Sequence, residues 1–300
     1  MALLPNGLTN GAQGSPGHVA YGKTKARFAD IPPAIDIPVR SEEDQAVELN
    51  LEELLDDTSE LCQVLEDEKA PKHLWITIAL AYAKHDQVDH TIDILQQGVL
   101  SLGRSGPKEK ISLLGCLCWA YLLKSRRAPR VAPDGQLVSA AKTKDLYLRE
   151  ATAVVNDASR LNPAFAPLNL ARGVLSLLRA SLQSSSRSGP MPGDSERSEL
   201  LRQALKCFDD ALNASQRRNV MAILGRARVL YMQGKFAESL QSYQTVLAKM
   251  PSLTDPDPRT GIGCCLWRLG FKDRAKMAWK RSLQLVCASL SHSILVDHSC

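Results

Sequence analysis

From about residue 71 onward, apolar positions return every three or four residues, in blocks of a dozen or more. Glycine, proline or a polar cluster separates each block from the next. That period places one apolar stripe along each of a series of helices, and the breakers mark the turns between them. In the last third of the chain the blocks themselves repeat. Gly234 and Gly270 are 36 residues apart, Phe208, Tyr243 and Trp279 are separated by 35 and 36, and Ala211, Val246 and Ser282 follow the same spacing.

A helical period in the mid-thirties is the signature of tetratricopeptide (TPR) repeats. Each such unit is a pair of antiparallel helices. The first helix needs a small residue where backbones approach, with a large apolar residue three later on the same face. The second needs a small residue, then an aromatic four later and another small or β-branched residue after three more. Residues 219–252 supply Ala227, Leu230, the Gly234 turn, Tyr243 and Val246, and residues 254–285 supply Gly263, Leu266, the Gly270 turn, Ala275, Trp279 and Ser282. Three looser units precede them. Residues 71–105 carry Trp75, Ile78, Ala79 and Tyr82, then Leu95 and Gly98. Residues 109–163 carry Leu117, Cys118 and Tyr121, then Ala151, Val155 and Ala158 behind a polar loop near Pro129–Gly135. Residues 164–214 carry Gly173, then Ala204, Phe208 and Ala211 behind a Ser/Gly/Pro insertion. Long insertions at turns cost little, because loop-closure entropy grows only with the logarithm of length. The pattern therefore predicts an all-α superhelix of about five helix pairs. Trp75, Ala79, Tyr82, Tyr121, Ala151, Ala158, Phe208, Ala227, Tyr243, Gly263, Ala275 and Trp279 are assigned to packing between helices.

The ends differ from the middle. Residues 1–34 are rich in Gly, Asn, Ser and Pro without apolar period, which predicts a disordered leader. Residues 35–70 form a separate N-terminal segment, and in residues 286–300 the repeat pattern is lost. Within the leader, Gly17–Thr24 matches the phosphate-loop pattern G-x-x-x-x-G-K-[ST]. That loop needs a buried strand before it and a helix after it. Here Gly, Gln, Ser and Pro precede the match, and Pro32-Pro33 follows closely, so the match is read as accidental.

Composition adds exclusions. The chain has 300 residues and a net charge of +5, too small and too mixed in sign to announce nucleic-acid binding. The longest apolar run, Ile111–Leu123, is too short to span a bilayer and reads as a buried helix. Eight cysteines lie mostly in apolar stretches and form no C-x-x-C pair, so they are read as reduced, buried thiols. The six histidines are isolated or terminal, and no nucleophile, base and orienting group can be assembled. Neither catalytic residues, nor a cofactor, nor a metal is expected, and no small-molecule substrate, membrane or direct nucleic-acid contact.

What remains is surface. First-helix positions away from the packing residues line the concave face of such a superhelix, where another polypeptide can lie. Met221, Leu224, Arg228, Tyr231, Cys264, Trp267 and Arg268 are the candidates in the last two units. A co-chaperone that grips an acidic C-terminus would need a clamp of Lys, Asn and Arg on this face. The corresponding positions hold Ile76, Leu80, Met221, Gly225, Asp257 and Gly261.

Particular stretches carry a more specific likeness. Ala34-Ile35-Asp36-Ile37-Pro38-Val39-Arg40, Val47-Glu48-Leu49-Asn50-Leu51, His73-Leu74-Trp75-Ile76 and Gly261-Ile262-Gly263-Cys264-Cys265-Leu266-Trp267-Arg268 resemble the N-terminal part of the Ctr-nine family in its fungal form. That family is the TPR scaffold subunit of the RNA polymerase II-associated factor (Paf) complex. The resemblance covers about residues 34–285. It implies a nuclear, non-enzymatic scaffold that holds other Paf-complex subunits, accompanies the RNA polymerase II elongation machinery and supports histone modification by separate enzymes. Members of that family carry more repeats and a charged C-terminal tail, and this sequence has neither.

Overall fold

The structure, a computed structural model, describes residues 31–39, 46–104, 106–131, 142–163, 165–183 and 192–297. The Gly17–Thr24 match, the expected disordered leader up to residue 30 and most of both insertions lie outside the described residues.

Prolines, caps and glycines set where the helices start and stop. Helix α2 (Lys72–Lys84) begins directly after Pro71, whose backbone is extended, and α4 (Pro107–Arg127) begins on a proline. At α8 (Val220–Met232) the Asn219 side chain accepts a hydrogen bond from the Ala222 N–H. Asp257 does the same for the Arg259 N–H at the start of α10 (Pro258–Arg268). Such caps satisfy donors that have no partner inside the helix. Between α8 and α9 (Phe236–Lys249), and again between α10 and α11 (Lys272–Asp297), the chain reverses at Gly234 and Gly270. Their φ angles of 81° and 91° are open to glycine but strained for other residues.

The helices pair in sequence order: α2 with α3 (Val88–Ser101), α4 with α5 (Lys144–Leu161), α6 (Ala166–Leu182) with α7 (Pro192–Ala214), α8 with α9, and α10 with α11. The first helices of successive pairs also touch one another, α2 on α4, α4 on α6, α6 on α8 and α8 on α10. Among the described residues this is a TPR superhelix of five helix pairs, with a short helix α1 (Ser59–Asp67) packed on α3.

One element was not anticipated in the all-α reading. Ala34–Pro38 (β1) and Ala46–Asn50 (β2) form an antiparallel hairpin, with Ile37 opposite Val47 and Asp36 opposite Glu48. Its signal is the two-residue alternation of Ile35 and Ile37, and of Val47 and Leu49. Ile37 and Leu51 are buried and join the same core as α1–α6, so the hairpin closes the N-terminal end of the stack.

The core is built on rings set against backbone. Phe208 of α7 is completely buried, and a Cβ placed on Gly225 of the next pair would stand 2.3 Å from its ring. One placed on Gly173 of its own pair would stand 2.7 Å away. Tyr243 of α9 lies equally close to Gly261 of α10, Trp75 of α2 presses on Gly98 of α3, and Trp279 of α11 presses on Gly263. Ala79, Ala151, Ala158, Ala227 and Ala275 are buried to 1% exposure or less, as close helix approach requires. Tyr82 is also buried and donates its hydroxyl to the Leu55 carbonyl, 2.9 Å, while Tyr121 accepts from Gln96 at 2.7 Å.

The last pair differs from those before it. Trp279 packs on α10 as assigned, with its ring on Gly263 and its Nε1–H donating to the Thr260 carbonyl, and it remains half-buried. Helix α11 also runs on to Asp297 where the repeat pattern is lost, because Lys272–Asp297 contains no glycine or proline to stop it. Among the described residues no helix is long and apolar enough to cross a membrane.

Because the Phe208 ring has no room to retreat, Gly225→Ala is expected to destabilise the chain by about 1–3 kcal/mol through overpacking. Phe208→Ala is expected to cost about 3–5 kcal/mol through the cavity it leaves. Urea denaturation of both variants and the parent checks the order.

Candidate protein-binding groove

Each first helix turns its small packing residue towards a ring or a neighbouring backbone. The residue immediately after it is rotated by about 100° on the helix and faces the inner side of the superhelix. After Ala79, Cys118, Gly173, Ala227 and Gly263 come Leu80, Trp119, Val174, Arg228 and Cys264. All five line one inner surface, formed by two cavities that share Trp119. The smaller, ≈290 Å³, is walled by Ile76, Leu80, Ala83, Leu95, Cys116, Ala120 and Leu123. The larger, ≈670 Å³, is walled chiefly by Leu170, Val174, Leu177, Met221, Leu224, Arg228 and Cys264, with the edges of Phe208 and Tyr243 at its floor.

Apolar side chains stand open to solvent here. Met221 is 47% exposed and Trp119 is 40% exposed, although the run Ile111–Leu123 reads as a wholly buried helix in sequence. A 21-residue helix that packs on two sides still has an inner face, and Trp119 falls on it. The signal for Trp119 was its place directly after Cys118, the same step that leads from Ala227 to Arg228.

The charges of the groove are few. Arg228 is exposed, and no carboxylate or hydrogen-bond acceptor among the described residues pairs with it. Asp257 is committed elsewhere. Its side chain is 4% exposed, it caps α10, and it pairs with Arg259 at 3.1 Å; its second carboxylate oxygen is buried with no hydrogen-bond partner. Burial pushes the Tyr243 phenol up to about 12, opposed by the Arg228 charge.

The other sequence candidates lie apart from this groove. Tyr231 meets Phe236 edge-on at 5.3 Å, and Arg268 stacks over Phe236 at 4.9 Å, beside the Gly234 turn. Trp267, 42% exposed, packs on Trp279 with ring centroids 5.7 Å apart, and Lys272 lies over it. The structure therefore brings Met221, Leu224, Arg228 and Cys264 together and leaves Tyr231 with Arg268, and Trp267, at two other places.

Burial pushes the Cys62 thiol up to about 11 and the Cys118 thiol up to about 12, which makes both poor nucleophiles. Among the described residues no three His, Cys, Asp or Glu side chains are grouped to hold a metal ion. His90 packs its ring on Tyr82. The basic run after Leu123 is tied into the fold, Lys124 to Asp89 at 2.5 Å and Arg127 to Asp86.

Comparison with known proteins fits this geometry. A TPR protein of Thermus thermophilus, TTC0263, superposes with a TM-score of 0.52 over 74% of this chain and 95% of its own, at 13% identity, a likeness of fold. In sequence, Tetratricopeptide repeat protein 1 of Schizosaccharomyces pombe is 32% identical over 84% of this chain. RNA polymerase-associated protein CTR9 of Saccharomyces cerevisiae is 30% identical over 88% of it, and the Arabidopsis thaliana CTR9 homolog 30% over 84%. The chain is a TPR protein similar in sequence to CTR9 proteins. It spans about a fifth of the length of those relatives, 22%, 23% and 20% in turn. No protein-family model matches it.

The raised Tyr243 phenol gives a pH dependence with a definite sign. Above pH 10 the unfolded chain ionises at this position while the folded chain holds the proton, so the folded state binds more protons and loses stability as pH rises. The loss should run from pH 10 to about 12. Tyr243→Phe should flatten that part of the curve relative to the parent, as read by urea denaturation at stepped pH.

Proposed function

We propose that this chain is a non-enzymatic TPR scaffold of the RNA polymerase II-associated Paf complex, acting in the nucleus through protein–protein contacts. In this reading it supports transcription elongation and co-transcriptional histone modification carried out by other proteins. The observation that carries it is the groove along α2, α4, α6, α8 and α10, a long apolar surface on the face where TPR proteins take polypeptides. Its relatives' names supply the setting, since two of those compared are CTR9 proteins and one is called RNA polymerase-associated. Exposed apolar surface of this extent on a soluble fold marks an interaction site. The contacts with other Paf subunits and with the polymerase elongation machinery are part of the proposal.

A TPR adaptor or co-chaperone for an unrelated partner is the competing reading. The groove offers little to an acidic C-terminus, which needs several cations converging on two carboxylates. Ile76, Leu80 and Met221 occupy its walls where such cations would stand, and Gly225 and Gly261 lie under rings.

The test is affinity purification of the tagged chain from nuclear extract, beside a variant carrying Met221→Glu and Leu224→Glu. The parent should recover polymerase-associated subunits identified by mass spectrometry. The variant should lose them while keeping the parent's helical circular dichroism. Recovery of chaperones without polymerase-associated subunits, or equal recovery by the variant, overturns the assignment.

A further inference from the structure

In the column formed by Leu80, Trp119, Val174, Arg228 and Cys264, one position carries a charge. Arg228 stands exposed beside Leu224 and Met221 on the wall of the larger cavity, with no acceptor among the described residues. The remaining charged residue of that wall, Asp257, is neutralised by Arg259 and turned to capping α10. The groove is thus apolar along its length with one unanswered positive charge.

A guanidinium gains most from a carboxylate when the surrounding surface is apolar, because the pair then forms away from water. An occupant that covered Trp119, Met221 and Leu224 would also cover the approach to Arg228. Leaving that cation buried without a partner would oppose binding. We propose that the groove selects an apolar polypeptide segment carrying a single Asp or Glu, placed to meet Arg228 while its apolar side chains fill the two cavities on either side of Trp119. This deepens the reading of the groove as a partner site and rests on it. Arg228 sets which sequence is accepted, and the apolar walls set how tightly it is held.

The test is selection of a random 16-residue peptide library, displayed on phage, against the full chain and against Arg228→Gln, Arg228→Glu and Leu224→Glu. Arg228 is exposed, so the first two variants should keep the parent's circular dichroism and melting temperature. Peptides enriched on the parent should share apolar residues and one acidic position. On Arg228→Gln the acidic preference should vanish, on Arg228→Glu it should become a preference for Lys or Arg, and on Leu224→Glu enrichment should fail. A synthetic consensus peptide should lose about tenfold to a hundredfold in affinity on Arg228→Gln.

Apolar peptides without a shared acid overturn the proposal. So do an acid preferred equally on all four proteins, no enrichment at all, or a groove filled by a second copy, seen as self-association that Leu224→Glu abolishes. If Met221→Glu with Leu224→Glu abolishes nuclear copurification while the peptide selections ignore Arg228, this inference falls and the groove stands. If copurification ignores the groove, the reading beneath it falls.

Discussion

Everything in this molecule depends on aromatic rings pressed directly onto backbone. Phe208 between Gly173 and Gly225, Tyr243 on Gly261 and Trp279 on Gly263 leave no room for a single added carbon. A large ring opposite a glycine fixes the distance between neighbouring helices with little freedom, because the ring is rigid and interiors pack as densely as crystals. The consequence reaches past the core. With Phe208 and Tyr243 committed to the seams, the first helices α6, α8 and α10 are held side by side, and the residues on their inner face are left to form one surface.

That surface has an uneven chemical character. Its walls are aliphatic and aromatic, with Trp119 and Met221 substantially open to water. Of the charged side chains on its walls, Asp257 is engaged with Arg259, while Lys124 pairs with Asp89 and Arg226 with Asp209 elsewhere. Pairs this exposed, such as Lys124 with Asp89, add little to stability. Within the groove the Asp257–Arg259 pair leaves Arg228 as the exposed charge.

Much of this architecture was legible in sequence because it is carried by period and by residue size. The 35–36 spacing of Phe208, Tyr243 and Trp279, with the Gly234 and Gly270 turns, gave both the helix pairs and their stacking. The hairpin was missed because Ile35, Ile37, Val47 and Leu49 make only two short alternations, and a strand of five residues leaves a weak pattern. Ala227 and Gly263 were legible as small slots on their own helices. Gly225 and Gly261 were not, because their need for smallness comes from a ring in the preceding pair, a contact no local pattern encodes. The groove was half legible. Met221, Leu224, Arg228 and Cys264 followed from the helix face, whereas Trp119 was hidden inside an apolar run. Tyr231, Trp267 and Arg268 share that face in projection but lie further along their helices, beyond the groove's end.

The separation between stability and recognition is a matter of one residue. Ala227 and Arg228 are neighbours in sequence, as are Cys118 and Trp119, and Gly173 and Val174. The first of each pair is buried. The second lines the groove, Trp119 and Arg228 exposed and Val174 half-buried against the core. A step of about 100° around the helix is enough to divide the two duties. It follows that the groove column can change its chemistry without disturbing the ring contacts beside it, whereas the small residues cannot change at all without moving a helix. Arg228 stands exposed on that column, one step from the buried Ala227.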